Sequence, residues 1–121
     1  MHRKIGKIYE NKTLDIYLRL GYEKIASSYF SSYGEIDVIV RSKSFELVFI
    51  EVKARSEEAF IQGLASISQK KQKRILYTAK KFLQETTVLY QSCRFDVVIV
   101  DITTDELFCI QDAFDASPVL D

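Results

Sequence analysis

Histidine is nearly absent from this 121-residue chain, and its single copy, His2, stands at the N-terminus. Acid–base catalysis by imidazole is thereby effectively excluded. Cysteine is scarce as well. Cys93 and Cys109 lie near or inside apparent strands, and neither belongs to a Cys-x-x-Cys or Cys/His cluster, which argues against a disulfide scaffold and a structural zinc site. One proline and four glycines against seven tyrosines and eight phenylalanines exclude a collagen-like, low-complexity or disordered chain. No run approaches the ~18 consecutive apolar residues of a membrane helix, and residues 1–7 have no apolar core for a signal peptide. The expectation is a soluble, cytoplasmic protein. Neither a Gly-x-x-x-x-Gly-Lys loop nor a Gly-x-Ser-x-Gly elbow occurs, which removes the usual nucleotide-binding and serine-hydrolase readings.

Nor is there an excess of charge of one sign, since 17 Lys and Arg balance 17 Asp and Glu. The placement is uneven all the same. Residues 70–81 carry Lys70, Lys71, Lys73, Arg74, Lys80 and Lys81 with no acid, whereas residues 101–121 carry six acids and no base. A local basic face of this kind can bind phosphate on a neutral protein, because exposed charges act over roughly 10 Å. It can equally be a solvated helix face. The length suits one domain spanning residues 1–121.

The chain reads as a helix over 5–20, stopped by Gly21, then a strand over 23–33 in which Tyr29, Phe30 and Tyr33 interleave with serines. Gly34 turns the chain into a strand over 35–41. A nearly continuous apolar strand over 47–53 follows, the signature of a strand covered on both faces, and it holds Glu51 and Lys53. Residues 54–64 read as a loop, 66–85 as a basic amphipathic helix, and 95–102 and 106–110 as strands before an acidic tail. The order α-β-β-β-α-β-β is that of an α/β domain.

Strand side chains alternate between faces, so Glu51 and Lys53 point the same way. Thirteen residues separate Asp37 from Glu51, and an antiparallel hairpin places the two side by side, at the ~4.8 Å spacing of neighbouring strands. The two carboxylates can then converge on one divalent cation, with the backbone carbonyl of Val52 as a third ligand. Hard oxygen donors suit Mg²⁺ or Mn²⁺. Phosphodiester hydrolysis needs such an ion together with positive charge at the phosphorus, which Lys53 can supply while offsetting repulsion between the acids. Glu10 shares a helix face with Gly6, Thr13, Leu14 and Tyr17 and points inward if that face packs; Ile5, Ile8, Ile16 and Leu20 form a competing apolar face.

Plainer readings stand beside these. Glu51 and Lys53 can be a charged pair on an open sheet edge, Asp37 a polar residue near a turn, Glu35 a solvated turn residue or a neighbour supporting the site residues, and Glu10 a solvated helix carboxylate. Asp96 reads as an edge cap or a contact of the basic helix, without a catalytic role.

The run Gly34-Glu35-Ile36-Asp37, followed by Val48-Phe49-Ile50-Glu51-Val52-Lys53 and Arg55, resembles the bacterial YraN-like family, which is assigned to the PD-(D/E)XK nuclease superfamily. The likeness covers residues 6–114, through Gly6, Glu10, Gly21-Tyr22, Phe60, Lys71 to Ile75 and Arg94 to Val98, and leaves 115–121 as the acidic tail. It implies a restriction-endonuclease-like core similar to archaeal Holliday-junction resolvases, a mixed central sheet of about five strands flanked by helices. By the same resemblance Glu10, Asp37, Glu51 and Lys53 are the catalytic set, with Mg²⁺ or Mn²⁺ on Asp37, Glu51, the Val52 carbonyl and Glu10. The chain departs from the family where an Asn- and Arg-rich segment usually precedes Gly-Glu-Ile-Asp, since residues 27–33 are serines and aromatics, and where Ala54 replaces a frequent Thr.

The functional expectation is a Mg²⁺-dependent endonuclease or nuclease-like nucleic-acid-binding protein acting on branched or single-stranded DNA in recombination or repair. Lys70, Lys71, Lys73, Arg74 and Arg55 are its expected phosphate contacts, and a homodimer follows by analogy with nucleases that handle two strands. The alternative is a catalytically silent adaptor of the same fold acting through a protein partner, favoured by the zero net charge, the missing Arg-rich segment and the acidic tail.

Overall fold

The computed structural model describes residues 2–55 and 67–120. Helix α1 (His2–Arg19) is followed by strands β1 (Glu23–Phe30), β2 (Glu35–Arg41) and β3 (Glu46–Arg55). Helix α2 (Gln69–Glu85), strands β4 (Ser92–Asp101) and β5 (Leu107–Phe114), and a one-turn helix α3 (Ser117–Leu120) complete the described chain. The five strands form one open mixed sheet in the order β1-β2-β3-β4-β5, with only the β3–β4 pair parallel. This is the α/β architecture expected from the element order. Among the described residues no helix is long and apolar enough to cross a membrane.

Local chemistry sets the element ends. Gly21, at φ 96°, takes the left-handed conformation that closes α1, with the Tyr22 amide donating to the Tyr17 carbonyl (3.0 Å) and the Gly21 amide to that of Leu18 (3.0 Å). The accompanying side-chain contact is made by the Tyr17 and Tyr22 rings, edge to face at 5.2 Å. Ser68 caps α2 by accepting from the Lys71 amide (3.1 Å). The strand expected to run to Tyr33 stops at Phe30. The Ser31 hydroxyl captures the amides of Tyr33 (3.0 Å) and Gly34 (3.3 Å), turning the chain early.

β3 lies at the centre, with Leu47 to Ile50 almost fully buried. On one face Ile39, Leu47, Phe49 and Phe95 pack against Ile75, Ala79 and Phe82 of α2, and Phe49, Phe95 and Phe114 stack in series. On the other, Val38, Val40, Val48, Ile50, Val98 and Val100 pack under Tyr9 and Tyr17 of α1. Full burial of each of these large side chains contributes about 1.5–3 kcal/mol. The competition between the two faces of α1 is resolved: Tyr9, Thr13 and Tyr17 are buried, whereas Ile8, Ile16 and Leu20 are exposed.

Further boundaries are corrected. β3 runs on through Ala54 and Arg55, which the loop reading had included; the rest of that loop, Phe60, and Ser66 at the expected helix start lie outside the described residues. β5 extends to Phe114, where ring stacking on Phe95 replaces solvent. The tail after it is not wholly solvated, since Ala116 and Val119 are buried in the cluster beneath α2.

Candidate active site

β2 and β3 pair in the register Val38↔Ile50, and one further step sets Asp37 across from Glu51. The Val52 amide donates to Asp37 Oδ2 at 2.7 Å, so this carboxylate is held by the strand that carries Glu51. Glu51 and Lys53 share a face of β3 and are each only 8% exposed, with Lys53 Nζ 3.5 Å from Glu51 Oε1. An edge pair exposed to deter aggregation is therefore ruled out, since β3 is central and both side chains are buried. Lys71, in the first turn of α2, brings a second ammonium to the same oxygen at 3.3 Å.

Burial and crowding raise the proton affinity of these acids. Asp37 is pushed up to about 8, first by burial and then by the Glu51 charge, against the pull of the Val52 amide. Burial also pushes Glu51 up, opposed by Lys71 and Arg55.

Glu10 reaches the same place from α1. Gly6, one turn earlier, presents no side chain; a Cβ there would touch Glu10 Oε2 at 3.9 Å. Ser28 Oγ donates to Glu10 Oε1 at 3.4 Å. Ser28 has φ 51°, an uncommon value for a residue with a Cβ, and by register it lies opposite Asp37. Carboxylate oxygens of Glu10, Glu35 and Asp37 all lie within 4.8 Å of one another. Burial raises the pKa of Glu10, and the charge of Glu35 raises it further.

A cleft of about 270 Å³ opens onto these groups, lined by Glu35, Asp37 and Glu51 from the sheet and by Lys71, Arg74 and Ile75 from α2, with Tyr33 and Gly34 at its rim. The arrangement is acidic at the sheet and basic at the helix. It can hold a hard cation on the carboxylates and an anionic group against Lys71 and Arg74.

The expected residues divide accordingly. Asp37 faces Glu51, which holds Lys53, and clusters with Glu10 and Glu35, a group of carboxylates within 4.8 Å that does not include Glu51; Lys71 and Arg74 line the cleft. Lys70 and Lys73 are exposed on α2 and do not line it. Arg55 ends β3, half-buried, its guanidinium donating to the Ala54 carbonyl (2.9 Å) while its charge favours ionised Glu51. At Val52 the engaged group is the amide.

Glu35, read as a turn residue or a neighbour of the site, stands within the acidic cluster, as its i,i+2 relation to Asp37 allowed, whereas the Lys71–Glu51 pair had no signal in the sequence. Asp96 reaches the edge strand β5, as one of its two readings had it, and on its other side meets α1 and not the basic helix. It is buried in β4, ion-paired to Arg94 (2.9 Å), accepting from Tyr17 Oη (2.7 Å) and from the Asp112 amide (3.1 Å) where β5 bulges.

Comparison with known proteins gives a consistent family. Residues 9–100 match the model of the uncharacterised protein family UPF0102. A UPF0102 protein of Sulfurihydrogenibium sp. (strain YO3AOP1) is 37% identical over 109 residues, 90% of this chain and 92% of that protein. One of Acinetobacter baumannii (strain AYE) is 40% identical over 101 residues, 82% and 74% respectively. One of Cupriavidus taiwanensis is 38% identical over 111 residues, 92% and 82%.

Proposed function

The chain belongs to the family UPF0102, the YraN-like family that the sequence resembles, and from its cleft we propose that it is a metal-dependent nuclease cleaving phosphodiester bonds in DNA. The observation that carries this reading is that Asp37 and Glu51 line one cleft whose opposite wall is cationic, with Lys53 paired to Glu51 and Glu10 clustered with Asp37.

The donor set fits a hard divalent ion. All the ligands are carboxylate oxygens; burial first, and neighbouring carboxylates second, raise the proton affinities of Asp37 and Glu10, and a cation relieves the second of these. Asp37 and Glu51 hold Mg²⁺ or Mn²⁺ in this reading, with Glu10, and with Glu35 beside it. Such an ion supplies an acidified water and positive charge at the phosphate. Lys53 neutralises Glu51 in the free protein and stabilises negative charge developing on the phosphate oxygens during attack. Lys71 and Arg74 hold the phosphate against the acidic floor, and Lys70, Lys73 and Arg55 add charge along the strand's path.

A second reading, an adaptor of the same fold without catalysis, is favoured by the Lys71–Glu51 ion pair, which satisfies the carboxylate without any metal. Cleavage of labelled four-way-junction, duplex and single-stranded DNA at low salt, with Mg²⁺ or Mn²⁺, separates the two. The nuclease reading expects cleavage that disappears in Glu51→Gln and Lys53→Met. Retained binding with no cleavage on any substrate favours a nucleic-acid-binding module on the same fold, and neither binding nor cleavage favours the adaptor.

A further inference from the structure

Tyr33 and Tyr77 pack against each other with ring centroids 5.1 Å apart and a tilt of 41°, yet they remain 55% and 51% exposed. The pair contributes little to the core, and its position is fixed by a specific network. The Ser31 amide donates to the Gly34 carbonyl (2.8 Å), and the Ser31 hydroxyl accepts from the amides of Tyr33 and Gly34. Thr78 commits its only hydroxyl proton to the Arg74 carbonyl (2.8 Å), so the 2.7 Å contact between Ser31 Oγ and Thr78 Oγ1 is a bond donated by Ser31. The β1–β2 turn is thereby fastened to the middle of α2. Tyr33 is held over Tyr77 with half of each ring facing solvent.

The pair stands between two concavities. On one side Tyr33 borders the acidic cleft together with Lys71 and Arg74. On the other Tyr77 borders a hollow of about 240 Å³ lined by Lys73, Lys80, Leu76, Pro118 and Val119. Lys73, Tyr77 and Lys80 follow at i, i+4 and i+7, one face of the helix, with rises of about 6 and 4.5 Å between them. No acidic residue occurs between positions 70 and 81. Cation, ring and cation therefore alternate along a line that begins at the acidic cleft.

We infer that Tyr33 and Tyr77 form a stacking platform for an unpaired base of a single-stranded polynucleotide, whose backbone passes from the acidic cleft to the Lys73–Lys80 hollow. The inference rests on the nuclease reading for which phosphate lies in the cleft, and the platform itself requires only binding. Every base has a π-face, and ring stacking of this kind is tolerant of sequence. Bases inside a duplex have both faces covered by their neighbours, so such a platform selects strands that are single or frayed. The alternating lysines supply the sequence-independent phosphate contacts that bind such a strand.

The test is binding of labelled oligothymidylate, oligouridylate and a DNA duplex in EDTA, read by fluorescence anisotropy at several salt concentrations. The platform predicts that Tyr33→Ala and Tyr77→Ala each weaken single-strand binding about tenfold, with the salt dependence unchanged. Tyr77→Phe keeps the wild-type affinity, and Tyr77→Leu, which preserves an apolar helix position, shows the same loss as Ala. Lys73→Ala combined with Lys80→Ala flattens the salt dependence by about 0.7 per lost phosphate contact. Losses on the DNA strand, the RNA strand or both support the platform and name the polymer. Equal affinity of the Ala variants and wild type for both strands overturns it, as does an equal loss on duplex. The two readings fail separately. Cleavage of single strands lost in Glu51→Gln but unaffected by Tyr33→Ala and Tyr77→Ala overturns the platform alone, whereas ring-dependent binding without metal-dependent cleavage overturns the nuclease reading alone.

Discussion

Lys71 Nζ lies 3.3 Å from Glu51 Oε1, and the pair bridges the basic helix to the central strand across the cleft. Lys53 Nζ approaches the same oxygen at 3.5 Å, so one carboxylate oxygen is shared by two ammonium groups. Lys53 is buried with Glu51, whereas Lys71 is partly exposed. In the proposed mechanism the outer lysine is the one free to leave for an entering cation or phosphate.

Lys71→Ala is expected to raise affinity for Mn²⁺ about two- to fivefold, the scale of a partly exposed ion pair, because a competing cation is removed. The same variant weakens nucleic-acid binding. Calorimetric titration with Mn²⁺ checks the first effect and anisotropy the second.

Asp37 gives a signed pH dependence. The unfolded chain releases this proton near pH ~4, whereas the folded protein holds it up to about 8. Between those values the folded state binds more protons than the unfolded one, so stability of the metal-free protein falls as pH rises through the window. Thermal melting from pH 5 to 8 shows a declining midpoint, and the decline is shallower in Asp37→Asn. Metal affinity runs the other way, rising with pH as Asp37 ionises.

Asp96→Ala tests the assignment of this acid to the scaffold. The substitution takes a two-point partner from Arg94, which keeps Glu46 (2.7 Å) and Tyr22 (2.9 Å), and strips the Tyr17 hydroxyl and the Asp112 amide of their shared acceptor, each such loss costing about 1–3 kcal/mol. The expected result is a large drop in thermal midpoint. Mn²⁺ binding by the fraction that remains folded stays at wild-type strength.

Gly21→Ala isolates backbone strain. A Cβ at Gly21 meets only the flexible end of Lys43, at 3.2 Å, so the cost comes from φ 96° itself. A loss of about 1 kcal/mol, or roughly 4 °C in thermal midpoint, is expected, with the cleft unaffected.

What the sequence disclosed follows the range of the forces involved. Asp37 and Glu51 were legible because a hairpin is local: alternation and loop length fix which residues face each other. The central position of β3 was legible from its unbroken apolar run. Lys71 was read as a phosphate contact only, because its approach to Glu51 depends on how α2 docks across the sheet, a relation no spacing encodes. Glu10 remained undecided between two helix faces until packing buried Tyr9, Thr13 and Tyr17 and left Ile16 and Leu20 outside. Aliphatic residues there outnumber the tyrosines, yet the tyrosines supply both ring area and hydroxyls for Asp96 and Asp105. The early end of β1 was missed because one hydroxyl, that of Ser31, overrides the β-propensity of Tyr33.

In the proposed site Asp37, Glu51 and Glu10 together hold a functional divalent cation. The most direct measurement is Mn²⁺ binding followed by electron paramagnetic resonance at a pH above the Asp37 midpoint, on wild type, Asp37→Asn and Glu51→Gln. The account predicts saturable binding by the wild type that each substitution reduces at least tenfold. Saturable binding that both variants retain undiminished, or none in the wild type, would contradict it.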